Sequence, residues 1–567
     1  MNIFNKIKQD LLNSLTNLDK NLDFKNVTIE VPKDKSHGDI STNAAMILCK
    51  QLKINPKELA NTFSEELKKI DYVEKVEIAG PGFINIFLNN NIWYQVLESI
   101  LKEKEKYGEE DLGKGEKVNV EYVSVNPTGP LHVGHTRAAI FADALAYLLK
   151  KVGYDVTKEY YINDAGNQIK ILVKSAYLRY LEALGETIEI PEGCYPGEYL
   201  KPVGQKLKEK YGDDLKNKTE EELFILIRQF VVDEMMDLIR EDTEAIGIEY
   251  DLYFSEKKEL HDKGIVERGM KILEDKGLVY KGKLPPPRGV DAKDYIAKEL
   301  TLFRSTQFGD DEDRAIRRND GSSTYITGDI AYSLSKYERG YKKAIVAWGA
   351  DHIGYVKRFT AITRAVSDNQ CEPHVFLVPM VKFLKKGELV KLSKRAGNLL
   401  RAKDVVEEVG KDVLRFIMLT RQNSAPLNFD LEKVKEQTKD NPVFYVQYAH
   451  ARACSVFRKL KELKLDLPEN SDFTKLNTAE EIDLIKKLAE YPKIIESAAI
   501  HYEPHRITFY LQELASEFHS LWNSNVKFID EENLELTKTR TDLVQAIIVV
   551  IKNGLGILGV RALEEMR

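Results

Sequence analysis

Apolar and polar positions alternate along residues 73–89, VEKVEIAGPGFINIFLN, on both sides of Gly80-Pro81-Gly82. A period of two marks a half-buried strand, so this stretch predicts two strands joined by a turn. Upstream, the opening MNIFNKIKQDLLNSLTNLDKN predicts an amphipathic helix, and NVTIEV (26–31) predicts a strand. A helix over 42–53 places Ala44, Ala45, Ile47 and Leu48 on one apolar face. Another over 92–106 runs into YGEEDLGKGEK (107–117), a charged, glycine-containing stretch with the composition of a linker.

The rhythm then changes. VNVEYVSV (118–125) alternates as a strand and stops at Asn126-Pro127-Thr128-Gly129-Pro130. Helical spacing follows over 134–151, with Ala138, Phe141, Leu145 and Leu148 aligned, and a second strand pattern covers 155–162. This order predicts a parallel sheet with right-handed crossovers and a ligand site beyond the strands' carboxyl ends. Residues 170–320 carry helical patterns, such as 221–246, joined by irregular pieces including Leu284-Pro285-Pro286-Pro287-Arg288. They read as an insertion in the sheet domain. The strand–helix theme resumes at KAIVAW (343–348), a helix over 355–366, and VFLVPM (375–380). Past residue 404 no strand pattern survives, and the spacing in 443–463, 481–500 and 507–522 predicts a helical bundle.

The expected fold is multidomain α/β. It has a small α+β domain (1–110), a Rossmann-like parallel-sheet domain (111–403) with an insertion around 170–320, and an all-α bundle (404–567). The chain's 567 residues suit several domains at ~150 residues each. The most apolar stretch near the C-terminus, 543–551, contains Gln545 and falls short of the ~20 residues of a membrane span. No apolar signal-peptide core opens the chain, so no membrane or secretory route is expected. Cys49, Cys194, Cys371 and Cys454 lack any zinc-type spacing. Scattered thiols suit a reducing cytoplasm without structural zinc.

A net charge of −6 argues against a general polyanion binder, yet residues 382–403 hold eight basic residues against one acid, Glu388. Gly387 and Gly397 interrupt any helix there, which predicts a cationic loop centred on Lys391-Leu392-Ser393-Lys394-Arg395. Such a loop can fold over a triphosphate and neutralise charge growing on pyrophosphate. A second constellation is PTGPLHVGHTR (127–137). His132 and His135 are three apart at a helix N-terminus, a place that suits phosphate, and Gly134 permits close approach. Two imidazoles there could donate to the oxygens of a pentavalent α-phosphate. The alternative is that one histidine caps the helix and the other packs. A helical zinc pair would need i, i+4 spacing with an intervening Glu.

Together the two motifs resemble the HIGH and KMSKS signatures of class I aminoacyl-tRNA synthetases, with HVGH and KLSKR in their places. More narrowly, VEIAGPGFINIFL, SHGDISTNAA (36–45), VEYVSVNPTGPLHVGHTR and DVLRF (412–416) resemble segments of arginyl-tRNA synthetases along essentially the whole chain. The departures are Val133 for Ile, Leu392 for Met, Arg395 for Ser and Val413 for Ala; both signature lysines remain.

The resemblance implies an ATP-dependent ligase that joins L-arginine to tRNA-Arg, acting in the cytoplasm as a monomer, with Mg²⁺ accompanying ATP and no resident metal. It implies His132, His135, Lys391 and Lys394 as catalytic residues. Gly134, Gly349, Asp351, His352 and Ser393, with the same histidines and Lys394, would line the ATP site. Glu121, Ser124 and Asn126 would hold the α-amino and carboxylate groups of arginine. Tyr325 and Asp329 would read its guanidinium, which needs a carboxylate fork that lysine could not use equally; a helix N-cap is the other role open to Asp329. The bundle would bind the anticodon, with Phe444, Tyr445, Tyr448 and Arg452 available to stack on bases or to serve as core. It further implies that amino-acid activation waits for bound tRNA. A synthetase for lysine and a non-catalytic RNA-binding relative remain the competing readings.

Overall fold

The computed structural model describes residues 2–16, 22–32, 34–285, 298–390, 400–438 and 440–566. At its centre lies a five-stranded sheet, ordered Glu372–Val378, Lys343–Gly349, Lys117–Tyr122, Asp155–Ile162 and Leu252–Ser255. Every neighbouring pair is parallel. Strands buried on both faces carry apolar side chains throughout; Val118, Val120, Ala344, Ile345 and Val346 are fully buried. The first strand in sequence, Lys117–Tyr122, sits in the middle. From it the chain moves one way to Asp155–Ile162 and later the other way to Lys343–Gly349. Where connections diverge like this, a crevice opens at the carboxyl ends of the two central strands.

The helix Thr136–Lys151 spans this sheet and buries Ile140, Phe141, Leu145 and Leu148. Two features of 170–320 depart from the sequence reading. Leu252–Ser255 joins the central sheet, and Val279–Lys283, Glu299–Phe303 and Arg314–Arg317 form an antiparallel sheet of their own. Four or five residues are too few for a period to show. For the same reason a strand after residue 404 went unread: Asn428–Asp430 pairs in parallel with Lys382–Lys385.

The N-terminal part pairs Val73–Ala79 with Phe83–Leu88 in antiparallel register around Gly80 and Gly82, whose φ angles are 55° and 137°. Ile40–Thr42 and Ile29–Glu30 complete the sheet, packed by the helices Ile3–Thr16, Ala44–Leu52 and Pro56–Leu67. The C-terminal part is a bundle of Pro442–Leu463, Ala479–Ala489, Tyr491–His501, His505–Asn523 and Leu534–Leu558. Leu534–Leu558 is long and apolar enough to cross a membrane by length and composition, which the short run 543–551 did not reveal. Here it is packed inside the bundle, with Leu543, Ile547, Val550 and Leu555 fully buried.

Sheet domain and bundle meet at Arg415, on the helix Lys411–Met418. Its buried guanidinium donates to Asp143 Oδ2 at 2.6 Å, Leu558 O at 2.8 Å and Ile246 O at 3.0 Å. Gly559, at φ 68°, lies so close that a Cβ would fall 2.3 Å from this side chain.

Candidate active site

The crevice begins with a strained turn. After Tyr122, Ser124 N–H donates back to Tyr122 O at 3.0 Å across Val123, whose φ is 69°; Ser124 itself has φ 39°. A β-branched residue in the left-handed region costs roughly 1–3 kcal/mol and persists only where its surroundings over-determine it. They do so here. Ser124 Oγ accepts from Tyr161 N–H at 3.0 Å, and Tyr160 O–H donates to Val125 O at 2.8 Å. Asn126 O then accepts from Thr128 N–H at 2.7 Å, so Glu121, Ser124 and Asn126 gather at one end of the middle strand.

The chain next enters the histidine segment. His132 Nδ1 accepts from Gly134 N–H at 3.0 Å and caps the turn Val133–His135, which continues into Thr136–Lys151. The cap occupies Nδ1 and leaves the ring proton on Nε2. Capping and donation to a phosphate therefore use different nitrogens of the same ring. His132 and His135 lie with ring centroids 3.8 Å apart. A Cβ on residue 134 would fall 2.7 Å from His132 Cε1, so only glycine leaves room for this ring position.

Opposite them, Tyr325 and Asp329 share one face at the start of the helix Ile326–Glu338. Asp329 is exposed to water on one side, while neighbouring protein crowds its carboxyl on the others. This enclosure is the main reason its pKa is pushed up to about 7; Arg358 pulls it down, and the charges of Glu256 and Glu121 raise it further. Arg358 Nη1 donates to Tyr325 Oη at 2.8 Å, and its guanidinium lies over the rings of Tyr355 and Tyr325 at 4.8 and 5.3 Å. Glu121 Oε2 accepts from the buried Lys336 Nζ at 2.6 Å. Deeper still, Arg339 clasps Glu159, which also accepts from Tyr332 O–H at 2.6 Å and Asn119 Nδ2 at 2.9 Å.

Glu256, Tyr161, Lys336 and Arg358 escaped the sequence reading. Burial raises the Tyr161 hydroxyl pKa, as do the nearby charges of Glu256, Asp329 and Glu121. The pocket thus collects three carboxylates, Glu121, Glu256 and Asp329. With Lys336 and Arg358 as its two cations, the site keeps one carboxylate uncompensated and attracts a further cation. Glu256 directly follows the short strand Leu252–Ser255, and a carboxylate at a strand's carboxyl end was the one available signal.

Lys391, Ser393 and Lys394 lie outside the described residues. Their neighbours do not. Val390 N–H bonds to Phe383 O at 2.9 Å, whereas Leu400 O accepts from Val133 N–H and Leu131 O from Ala402 N–H, both at 3.0 Å. The chain following the basic motif therefore lies against the histidine segment, with His132 opposite Arg401. Gly349 ends its strand and opens the turn Ala350–Tyr355. A Cβ there would fall 2.5 Å from Asp351 Oδ1. Asp351 and His352 are both exposed on this turn, at the same end of the sheet as Ser124.

In the bundle, Tyr445, Tyr448 and Arg452 are half-buried. Arg452 lies 4.4 Å over the Tyr448 ring and 5.4 Å over Trp522, and Phe444 stacks on Tyr448 at 5.8 Å. His519 sits between Tyr445 O at 3.3 Å and Arg452 Nη1 at 3.2 Å, its pKa lowered chiefly by burial. These side chains form one aromatic and cationic ladder, far along the chain from the crevice.

Family comparisons match nearly the whole chain. Residues 5–88 match the arginyl tRNA synthetase N terminal domain, 96–456 the catalytic domain of tRNA synthetases class I (R), and 446–566 the DALR anticodon binding domain. An arginine–tRNA ligase of Parvibaculum lavamentivorans is 51% identical over 97% of this chain and 96% of its own length. That of Wolbachia pipientis wMel is 50% identical over the full length of both. The solved arginyl-tRNA synthetase of Thermus thermophilus shares the fold with a TM-score of 0.71 at 20% identity, covering 99% of this chain and all of that one. With a catalytic-domain match across most of its length and near-full-length relatives at half identity, the chain belongs to the arginyl-tRNA synthetase family of class I.

Proposed function

We infer that this crevice activates L-arginine with ATP and passes the arginyl group to the 3′ end of tRNA-Arg, releasing pyrophosphate and then AMP. The observation that carries this reading is the carboxylate pocket, built around Asp329 and Glu121, at the same end of the sheet as the paired imidazoles. The guanidinium lies against Asp329 with Tyr325 orienting it, Glu121 receives the α-amino group, and Ser124 and Asn126 fix the carboxylate end. One carboxylate oxygen of arginine attacks the α-phosphorus, and His132 and His135 donate to the oxygens that gain charge. Lys391 and Lys394, with Ser393, neutralise the departing pyrophosphate, while Gly349, Asp351 and His352 border the adenosine. The terminal ribose hydroxyl of tRNA then attacks the arginyl carbonyl, and AMP leaves.

Mg²⁺ arrives with the triphosphate and supplies charge neutralisation there. Among the described residues no cluster of His, Cys, Asp or Glu is placed to hold a metal ion. Residues 1–110 contact tRNA, 111–403 carry the chemistry, and 404–567 read the anticodon, with Tyr445, Tyr448 and Arg452 on the reading surface. The family matches over 5–88 and 446–566 support the roles of the first and last segments. The chain's cysteines are free thiols, which suits a reducing cytoplasm.

Charging of total tRNA against a panel of amino acids tests the reading. Arginine alone is expected to be joined, only in the presence of ATP; charging by lysine instead would overturn it. Pyrophosphate exchange is expected to need tRNA, and a normal rate without any tRNA would remove that requirement.

A further inference from the structure

We propose that Asp242 is a positioning residue for adenylate formation, locking the strand that carries His132 to the segment that follows the basic signature. The proposal rests on the reading of His132, His135, Lys391 and Lys394 as the groups around the nucleotide.

Asp242 lies in the last turn of the helix Glu220–Ala245 and is fully buried. A carboxylate is unfavourable there twice over: it is removed from water, and it faces the negative end of the helix dipole. Burial indeed raises its pKa, against the lowering effect of Arg401 and of backbone N–H donors. What offsets the cost is its set of partners. Oδ2 accepts from Leu131 N–H at 2.9 Å, and Oδ1 accepts from Lys403 N–H at 3.2 Å and Arg401 Nε at 3.3 Å. Between these donors run the two strand-like bonds, Val133 N–H to Leu400 O and Ala402 N–H to Leu131 O. The carboxylate therefore closes the patch from the side, satisfying donors on both segments that have no ladder partner for those groups. Glu241 Oε2, 3.5 Å from Arg401 Nη2, adds only a half-exposed contact.

Three segments meet at this side chain, and two of them carry reacting groups. Arg401 follows Lys394 by seven residues. An extended link of that length spans at most about 25 Å, so fixing Arg401 beside His132 bounds the distance of Lys394 from the α-phosphate. The arginine pocket is held by other pairs, Lys336–Glu121 and Arg358–Tyr325. Asp242 should therefore affect the ATP half of the site and leave the arginine half alone. Asn in its place keeps the volume but turns one oxygen into a donor facing N–H groups.

The test compares Asp242→Asn, Arg401→Met and His132→Ala in tRNA-dependent pyrophosphate exchange, with active sites counted by the adenylate burst and Tm recorded. Asp242→Asn is expected to lower kcat per active site at least tenfold and raise the KM for ATP, with the KM for arginine within twofold. Arg401→Met, which spares both backbone donors, should lose about threefold. If both variants keep kcat per site within twofold, whatever their Tm, Asp242 serves the fold alone and the proposal is overturned. Should Asp242→Asn not fold, Arg401→Met decides by the same split. A normal rate for Asp242→Asn beside a slow His132→Ala sinks the clasp only; a normal rate for His132→Ala sinks the reading of the site and the clasp with it.

Discussion

Replacing Asp329 by Asn removes the charge that faces the guanidinium and keeps the side chain's volume. A hydrogen bond to a charged group contributes about 1.5–3 kcal/mol net, and truncating one partner of an enclosed charge pair costs roughly 2–5 kcal/mol. Asp329 is open to water, so the lower half of that range applies, about 2–3.5 kcal/mol. At ~1.36 kcal/mol per tenfold, kcat/KM for arginine falls by roughly 30- to 400-fold. The assay is tRNA-dependent pyrophosphate exchange with arginine varied at saturating ATP; the KM for ATP should stay within twofold. The pH profile gives an independent check. The empty site holds Asp329 at a pKa of about 7, and only the carboxylate pairs with guanidinium. KM for arginine is therefore level above that pH and rises about tenfold per unit below it, while the Asn variant is flat. For stability the sign is opposite. The folded value is raised above the ordinary carboxyl value of 3.8, so this group's contribution is present below that pH and lost as pH rises through about 7. Asp329→Asn should be no less stable than the parent at pH 8. A change in kcat/KM below threefold, or an acid limb that survives in the Asn variant, would refute the reasoning.

Two further outcomes concern the scaffold around the chemistry. His132→Ala and His135→Ala should each slow adenylate formation by about 10²–10³-fold in single-turnover kinetics; an effect below threefold assigns that ring to capping and packing. Arg415→Met leaves Asp143 with only Tyr122 O–H and Lys158 as partners, takes the guanidinium donor from the carbonyls of Leu558 and Ile246, and should cost about 3–5 kcal/mol by denaturant unfolding. A loss below about 1 kcal/mol would show that sheet domain and bundle are held together elsewhere.

Long periodic elements were legible. The helix 134–151 and the strand 155–162 were each set by spacing or alternation sustained over many residues, whereas the alternation of 118–125 ran past its strand, which ends at Tyr122 before the left-handed Val123 and Ser124. The histidine and lysine motifs were legible because each is compact in sequence. What escaped was either too short or not local. Leu252–Ser255 and Asn428–Asp430 offer too few residues for a period and are fixed by pairing to distant strands. Pro56–Leu67 is different: it carries both a cap, Asn55 accepting from Lys57 N–H at 2.9 Å, and an apolar face of Leu59, Phe63 and Leu67, so it was legible locally. Leu534–Leu558 looked shorter than it is because Gln545 and its threonines interrupt the apolar run. Within the site, Glu256 and Arg358 gain meaning only through Asp329, and Asp242 only through Leu131 and Arg401. No window of sequence contains both members of any of these pairs.

The most direct measurement is a structure with arginine, tRNA-Arg and a non-hydrolysable ATP analogue bound together. The account expects the His132 and His135 rings within about 3 Å of α-phosphate oxygens, and the ammonium groups of Lys391 and Lys394 on the outer phosphates of the same nucleotide. Lysines turned to a separate surface while the triphosphate is in place would contradict it.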